Sequence, residues 1–121
     1  MARILLADDD AATRDLVRRA LASDGHDVTV TQDGLEALER LLADGTQLQL
    51  LISDVDMPGL NGLDLAARAI EAAPHLRIVL MTGLAEAVAD TERLKPNLKR
   101  FVSKPFTLDQ IKTVVRQALL D

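Results

Sequence analysis

Leu48-Gln49-Leu50-Leu51-Ile52-Ser53-Asp54-Val55-Asp56 is a short aliphatic run that stops on carboxylates. Residues 48–53 of it, a near-continuous apolar stretch, read as a strand covered on both faces. The same reading applies upstream at residues 3–7 and downstream at residues 76–81. Residues 27–31 and 99–103 complete a predicted set of five strands. Helical spacing fills the gaps between them. Leu16, Val17, Ala20 and Leu21 form one stripe, closed by Gly25. Leu35, Leu38, Leu41 and Leu42 form a second, opened by Asp33 with Glu36 and closed by Gly45. Asn61 opens a third, which carries Leu65, Ala66, Ala69 and Ile70 and stops before Pro74. A short fourth helix is expected over 85–93. Thr107 and Gln110 form a capping box for the last helix, whose stripe is Leu108, Ile111, Val115, Ala118 and Leu119. Strands alternating with helices at this spacing imply right-handed crossovers and a parallel sheet with helices on both faces. The predicted fold is therefore α/β, a doubly wound (βα)5 sheet forming one domain over residues 1–121.

Composition removes whole classes of function. The chain has 121 residues, of which 48% are hydrophobic, enough for one core. Only Phe101 and Phe106 are aromatic, so Leu, Val, Ile and Ala must build that core. Fourteen basic against nineteen acidic residues give a net charge of −5, which argues against direct nucleic-acid binding through a broad basic face. The absence of Cys excludes disulfides, thiolate metal sites and cysteine nucleophiles. No stretch resembles a signal peptide or a membrane span, so no membrane insertion and a cytoplasmic location are expected.

In such a sheet, ligands bind beyond the carboxyl ends of the strands, which lie along one edge. The first strand runs into Asp8-Asp9-Asp10, the third into Asp54 and Asp56, the fourth into Thr82-Gly83, and the fifth into Lys104-Pro105. Each has an ordinary explanation alone: the acidic triplet as a helix cap, Asp54-Val55-Asp56 as turn chemistry, Lys104 as a solvated side chain. Together they place carboxylates, a hydroxyl and an ammonium wherever an apolar strand stops. Clustered carboxylates repel one another unless compensated. A divalent cation with one Lys balances three of them, and all-oxygen ligands without His or Cys suit Mg²⁺. A carboxylate can itself accept a phosphoryl group as nucleophile. The residues thus point to a Mg²⁺-dependent, phosphoryl-accepting aspartate, with Asp54 at the end of the central strand as the best candidate. Gly59, Gly62 and Gly83 would admit a phosphate near backbone N–H groups, but no nucleotide-binding glycine motif is present. His26 and His75 read as surface or capping residues, and Met57 as a packing anchor. Arg93, Lys95, Lys99 and Arg100 form a basic patch that reads as a solvated face, or else a docking face.

Ile4-Leu5-Leu6-Ala7-Asp8-Asp9, Asp54-Val55-Asp56-Met57-Pro58-Gly59, Leu80-Met81-Thr82-Gly83 and Val102-Ser103-Lys104-Pro105-Phe106 together resemble the response-regulator receiver domain of two-component signalling. The likeness runs through the whole chain in order. It implies a CheY-like (flavodoxin-like) fold with strand order 2-1-3-4-5. It implies Asp54 as phosphoacceptor, supplied by a histidine kinase or histidine phosphotransfer protein. Asp9, with Asp8 partly through water, the Asp54 carboxylate and the backbone carbonyl of Asp56 would bind Mg²⁺. Thr82 would contact a phosphoryl oxygen, Lys104 would pair with the phosphoryl group, and the peptide bond before Pro105 would be cis. Phe101 falls at the aromatic switch position. The family implies a signalling switch that assists its own phosphorylation and dephosphorylation, not an enzyme.

The stretch Lys95-Pro96-Asn97-Leu98-Lys99-Arg100-Phe101 departs from the Gly-Ala-x-x-Tyr-like segment of many DNA-binding members, so the resemblance does not by itself imply their dimerisation mode through the fourth and fifth helices. The chain stops at Asp121, where the last helix should end; unless it is an excised fragment, no output domain is expected and output by protein binding is expected instead. Met81-Thr82-Gly83-Leu84-Ala85 and the segment from Phe101 to Phe106 resemble more particularly the CpdR-type single-domain regulators, associated with control of ClpXP proteolysis, directly or through an adaptor. Two alternatives stand beside this reading. Asp54-Val55-Asp56 also resembles the start of a haloacid-dehalogenase phosphatase motif, and some receivers act independently of phosphorylation.

Overall fold

The computed structural model describes residues 1–83 and 91–121. Its five strands are β1 (Arg3–Ala7), β2 (Asp27–Thr31), β3 (Leu50–Asp54), β4 (Arg77–Thr82) and β5 (Leu98–Ser103). They form one sheet in the order β2-β1-β3-β4-β5, and every adjacent pair is parallel. The expected class and strand order hold. Two boundaries differ in a way that matters: β3 runs through Asp54 and β4 through Thr82, each one residue beyond the expected strand end at Ser53 or Met81. Ladder pairing carries the strand onto a polar residue where hydropathy alone ends it.

Among the described residues, four α-helices cover the sheet: α1 (Ala11–Ser23), α2 (Gly34–Asp44), α3 (Gly62–Ala72) and α4 (Leu108–Leu120). The helix expected over 85–93 lies mostly outside the described residues. Its described end, Glu92–Leu94, is a 3₁₀ turn rather than α-helix. Caps fix where the helices begin. Asp10, Asp33, Asn61 and Thr107 each accept a backbone N–H three residues on, satisfying a donor that the helix leaves open. The Thr107–Gln110 box closes in both directions. At Asp33 only half of it forms, because the Glu36 carboxylate takes the N–H of Gln32 instead.

Successive residues of a strand point to opposite faces, so the sheet feeds two cores. Leu5, Leu51, Ile78 and Leu80 meet Ala37, Leu41, Leu65, Ala66 and Ala69 under α2 and α3. Ile4, Leu6, Leu50, Ile52, Val79 and Met81 meet Val17, Leu21, Ile111 and Val115 under α1 and α4. Each fully buried aliphatic side chain contributes about 1.5–3 kcal/mol relative to exposure. A register shift at Ile78/Val79 places Leu98 opposite Ile78 but Arg100 opposite Val79. The extra residue, Lys99, reverses the alternation of β5, and so Leu98 and Phe101 both pack on the α2/α3 side. Among the described residues, no helix is long and apolar enough to cross a membrane.

At the opposite end of the sheet, the N–H of Ala2 donates to Nδ1 of His26 at 3.1 Å. That bond requires a neutral ring. Burial holds the imidazole below its ordinary 6.5, assisted by the terminal ammonium and Arg116 against the pull of Asp24. The unfolded chain therefore takes up this proton first, and stability should decline as pH falls below about 6.5 towards the folded pKa. An NMR titration of the two histidines checks this; a pKa for His26 at or above 6.5 contradicts it.

Candidate functional site

The carboxyl edge of the sheet gathers the residues that the strand ends promised. β1 delivers Asp8, fully buried, and then the exposed Asp9. β3 ends on Asp54, only 6% exposed, and β4 on the buried Thr82. β5 leads into Lys104, followed by a cis Lys104–Pro105 peptide. Asp8, Asp9 and Asp54 each offer a carboxylate oxygen, and these oxygens lie within 4.8 Å of one another. Nζ of Lys104 stands 3.3 Å from Asp8 Oδ2 and 3.1 Å from Asp54 Oδ2.

Backbone bonds tie the strand ends together. The N–H of Lys104 donates to Thr82 O at 2.9 Å, and that of Val55 to Met81 O at 2.9 Å. The loop after Asp54 folds back so that the Asp56 N–H reaches Asp54 Oδ1 at 3.3 Å, while the Asp56 side chain points to solvent. Gly62, at the start of α3, comes so close that a Cβ there would sit 2.1 Å from the Asp54 carbonyl oxygen. Its place is set by packing α3 against the end of β3. Among the described residues a Cβ added at Gly83 would meet nothing within 4 Å, and Gly59 adopts φ +78°, where glycine turns the loop at no steric cost.

Other candidates find plainer roles. Asp10 does not join the carboxylate group; it caps α1, accepting from Thr13 N at 2.9 Å and Thr13 Oγ1 at 2.7 Å. Met57 is buried in the α2/α3 core. His75 Nε2 bonds the Leu48 carbonyl at 2.9 Å. In the basic patch, Arg93 pairs with Asp64, Lys95 with Glu92, and Arg100 with Asp121. Phe101 is half-buried opposite Leu80, two residues before Thr82 on β4, so Phe101 and Thr82 belong to the same face of the sheet.

Burial pushes the Asp8 carboxyl above the usual carboxylate range; the N–H of Asp10 and the Lys104 ammonium pull it back only in part, and Asp54 adds repulsion. Burial likewise raises Asp54 against the opposing pull of Lys104. For Lys104, burial acts to lower its pKa, but the two carboxylates together outweigh it and hold the ammonium firmly protonated. Three carboxylates against one ammonium leave two negative charges in a partly desolvated pocket. An all-oxygen donor set with that deficit fits a hard divalent cation such as Mg²⁺. Arg14 was not singled out by any motif, yet its guanidinium reaches the Asp8 carbonyl at 2.8 Å.

Residues 4–116 match the response regulator receiver domain family. The chain is 36% identical over 120 residues to the response regulator receiver protein CpdR of Brucella abortus, covering 99% of this chain and 98% of that protein. It is 40% identical over 118 residues to the DNA-binding transcriptional regulator NtrC of Azospirillum brasilense, covering 98% of this chain but only 24% of that protein. A receiver domain crystal structure from Clostridium thermocellum has a TM-score of 0.87 at 22% identity, covering 99% of this chain and 95% of that one, which bears on the fold alone.

Proposed function

The chain belongs to the response regulator receiver domain family, and from that premise we propose that Asp54 accepts a phosphoryl group from a histidine kinase or a histidine phosphotransfer protein and thereby switches protein contacts. The observation that carries this reading is the buried Asp54 carboxylate at the end of the central strand, 3.1 Å from Lys104 and grouped with Asp8 and Asp9. Asp8, Asp9 and Asp54, with the backbone carbonyl of Asp56, are the residues that would hold Mg²⁺. Bound there, Mg²⁺ supplies charge neutralisation for phosphoryl oxygens.

The chain's own groups do the rest. An Asp54 carboxylate oxygen forms the new bond to phosphorus, and the P–N bond to the donor imidazole breaks with its electron pair left on nitrogen. The Lys104 ammonium, already protonated and beside Asp54, exchanges its carboxylate contact for a phosphoryl oxygen without any proton transfer. The Thr82 hydroxyl would donate to another phosphoryl oxygen after moving inward. Because Thr82 and Phe101 share a face of the sheet, inward movement of Thr82 is proposed to free space for Phe101 and alter the β5 surface. The match to CpdR over nearly the whole of both chains supports output through protein contacts, with ClpXP or an adaptor as the proposed downstream partner.

Incubation with acetyl phosphate and Mg²⁺, followed by intact-mass measurement, tests the reading. One phosphoryl adduct is expected, absent when EDTA replaces Mg²⁺. Repeated turnover of p-nitrophenyl phosphate would instead mark a hydrolase.

A further inference from the structure

We infer that Arg14 is a positioning residue for the metal-binding carboxylates, acting through the peptide plane between Asp8 and Asp9. The inference rests on the proposed Mg²⁺ site. Arg14 lies one turn into α1, and its N–H donates to Asp10 O at 2.9 Å as the first turn closes. Its guanidinium folds back and donates to the main-chain oxygen of Asp8 at 2.8 Å. It thus goes to a neutral carbonyl, although three carboxylates precede it in the chain. A residue serving only to offset the acidic triplet would be expected on a carboxylate.

The position of that carbonyl gives the contact its meaning. β1 ends at Ala7, so the Asp8 oxygen lies beyond the strand ladder. The other polar groups of Asp8 are already held: its N–H by Thr31 O at 3.3 Å, Oδ1 by the Asp10 N–H at 2.9 Å, and Oδ2 by Lys104 at 3.3 Å. The Asp8 carbonyl and the Asp9 N–H belong to one planar peptide unit. Fixing that oxygen fixes the plane from which the Asp9 backbone and side chain depart. Asp9 is exposed, so it lacks the packing that holds Asp8 and Asp54. Arg14 therefore ties the first turn of α1 to the direction of this exposed ligand, from the side of Asp9 opposite the Asp10 cap.

Charge alone makes the opposite prediction. A guanidinium near a cation site repels the cation, so removing it should tighten Mg²⁺ binding. Positioning predicts weaker binding, of the order found when groups holding a metal's ligands are removed, about tenfold. Arg14→Met keeps the aliphatic stem and removes every donor; Arg14→Lys keeps the charge and a donor on a slightly shorter stem. The experiment measures Mg²⁺ affinity by isothermal titration calorimetry for the wild type and both variants, with circular dichroism and metal-free melting as controls on folding. The expected result is about a tenfold loss for Arg14→Met and near-wild-type affinity for Arg14→Lys. Equal or tighter binding by a folded Arg14→Met overturns the inference and leaves the metal site standing. So does an equal loss in Arg14→Lys, which would place the effect in the guanidinium's shape rather than its bond to Asp8. No Mg²⁺ binding by the wild type overturns both this inference and the metal site beneath it.

Discussion

Asp54→Asn is expected to abolish phosphoryl transfer to the chain while leaving its melting temperature unchanged or higher. An amide oxygen is a poor nucleophile towards phosphorus, and Asp8 and Asp9 do not substitute for it. Asp8 is fully buried, with both its oxygens engaged by Lys104 and the Asp10 N–H. Asp9 is exposed and lacks the packing that would align it for attack. Stability should survive because burial already disfavours the ionised form of Asp54. Asn removes that cost at nearly constant shape, and Lys104 keeps Asp8 as a partner at 3.3 Å. Acetyl phosphate labelling with Mg²⁺, read by intact mass, checks the first half; thermal melting without metal checks the second. An adduct of undiminished yield on the variant would move the acceptor elsewhere.

The sheet was legible because its signal is local. A buried strand such as the one ending at Asp54 needs an unbroken aliphatic run, and the helices between strands begin on side chains whose caps form as the residues require. The convergence of Asp8, Asp54 and Lys104 was legible one step later, because a parallel sheet puts all its carboxyl ends on one edge. Non-local features were not. The extra residue at Lys99 is invisible in hydropathy, yet it sets which face Phe101 occupies. Gly62 looked like a phosphate-loop glycine, and only the approach of α3 to the Asp54 carbonyl shows what requires it. Arg14 carries no motif, because its partner is a backbone atom and any residue could have supplied that.

Lys104→Met should destabilise the metal-free protein by about 2–3 kcal/mol at neutral pH, a value at or below the usual loss for breaking a buried pair because the ammonium is partly exposed. Met keeps the length of the stem, so the loss is one of charge. Without the ammonium, Asp8 and Asp54 face each other in a pocket where burial has already raised both carboxyl groups. Their folded pKa values should rise further. An acid whose folded pKa exceeds its unfolded value costs nothing below the unfolded value, where both states are protonated. The cost grows as pH rises and is complete above the folded pKa. The difference between variant and wild type should therefore be smaller at pH 5 than at pH 8. Urea denaturation at the two values measures it, and a loss that is equal at both, or larger in acid, would show that the ion pair is not its source. The same variant should gain more from Mg²⁺ than the wild type does. It presents three carboxylates to the cation with no ammonium to repel it, and a ligand that binds only the folded state stabilises it more the more tightly it binds. A smaller Mg²⁺-induced rise in melting temperature for Lys104→Met would mean that Lys104 assists the cation rather than competing with it, and that the charge balance at the three strand ends is drawn wrongly.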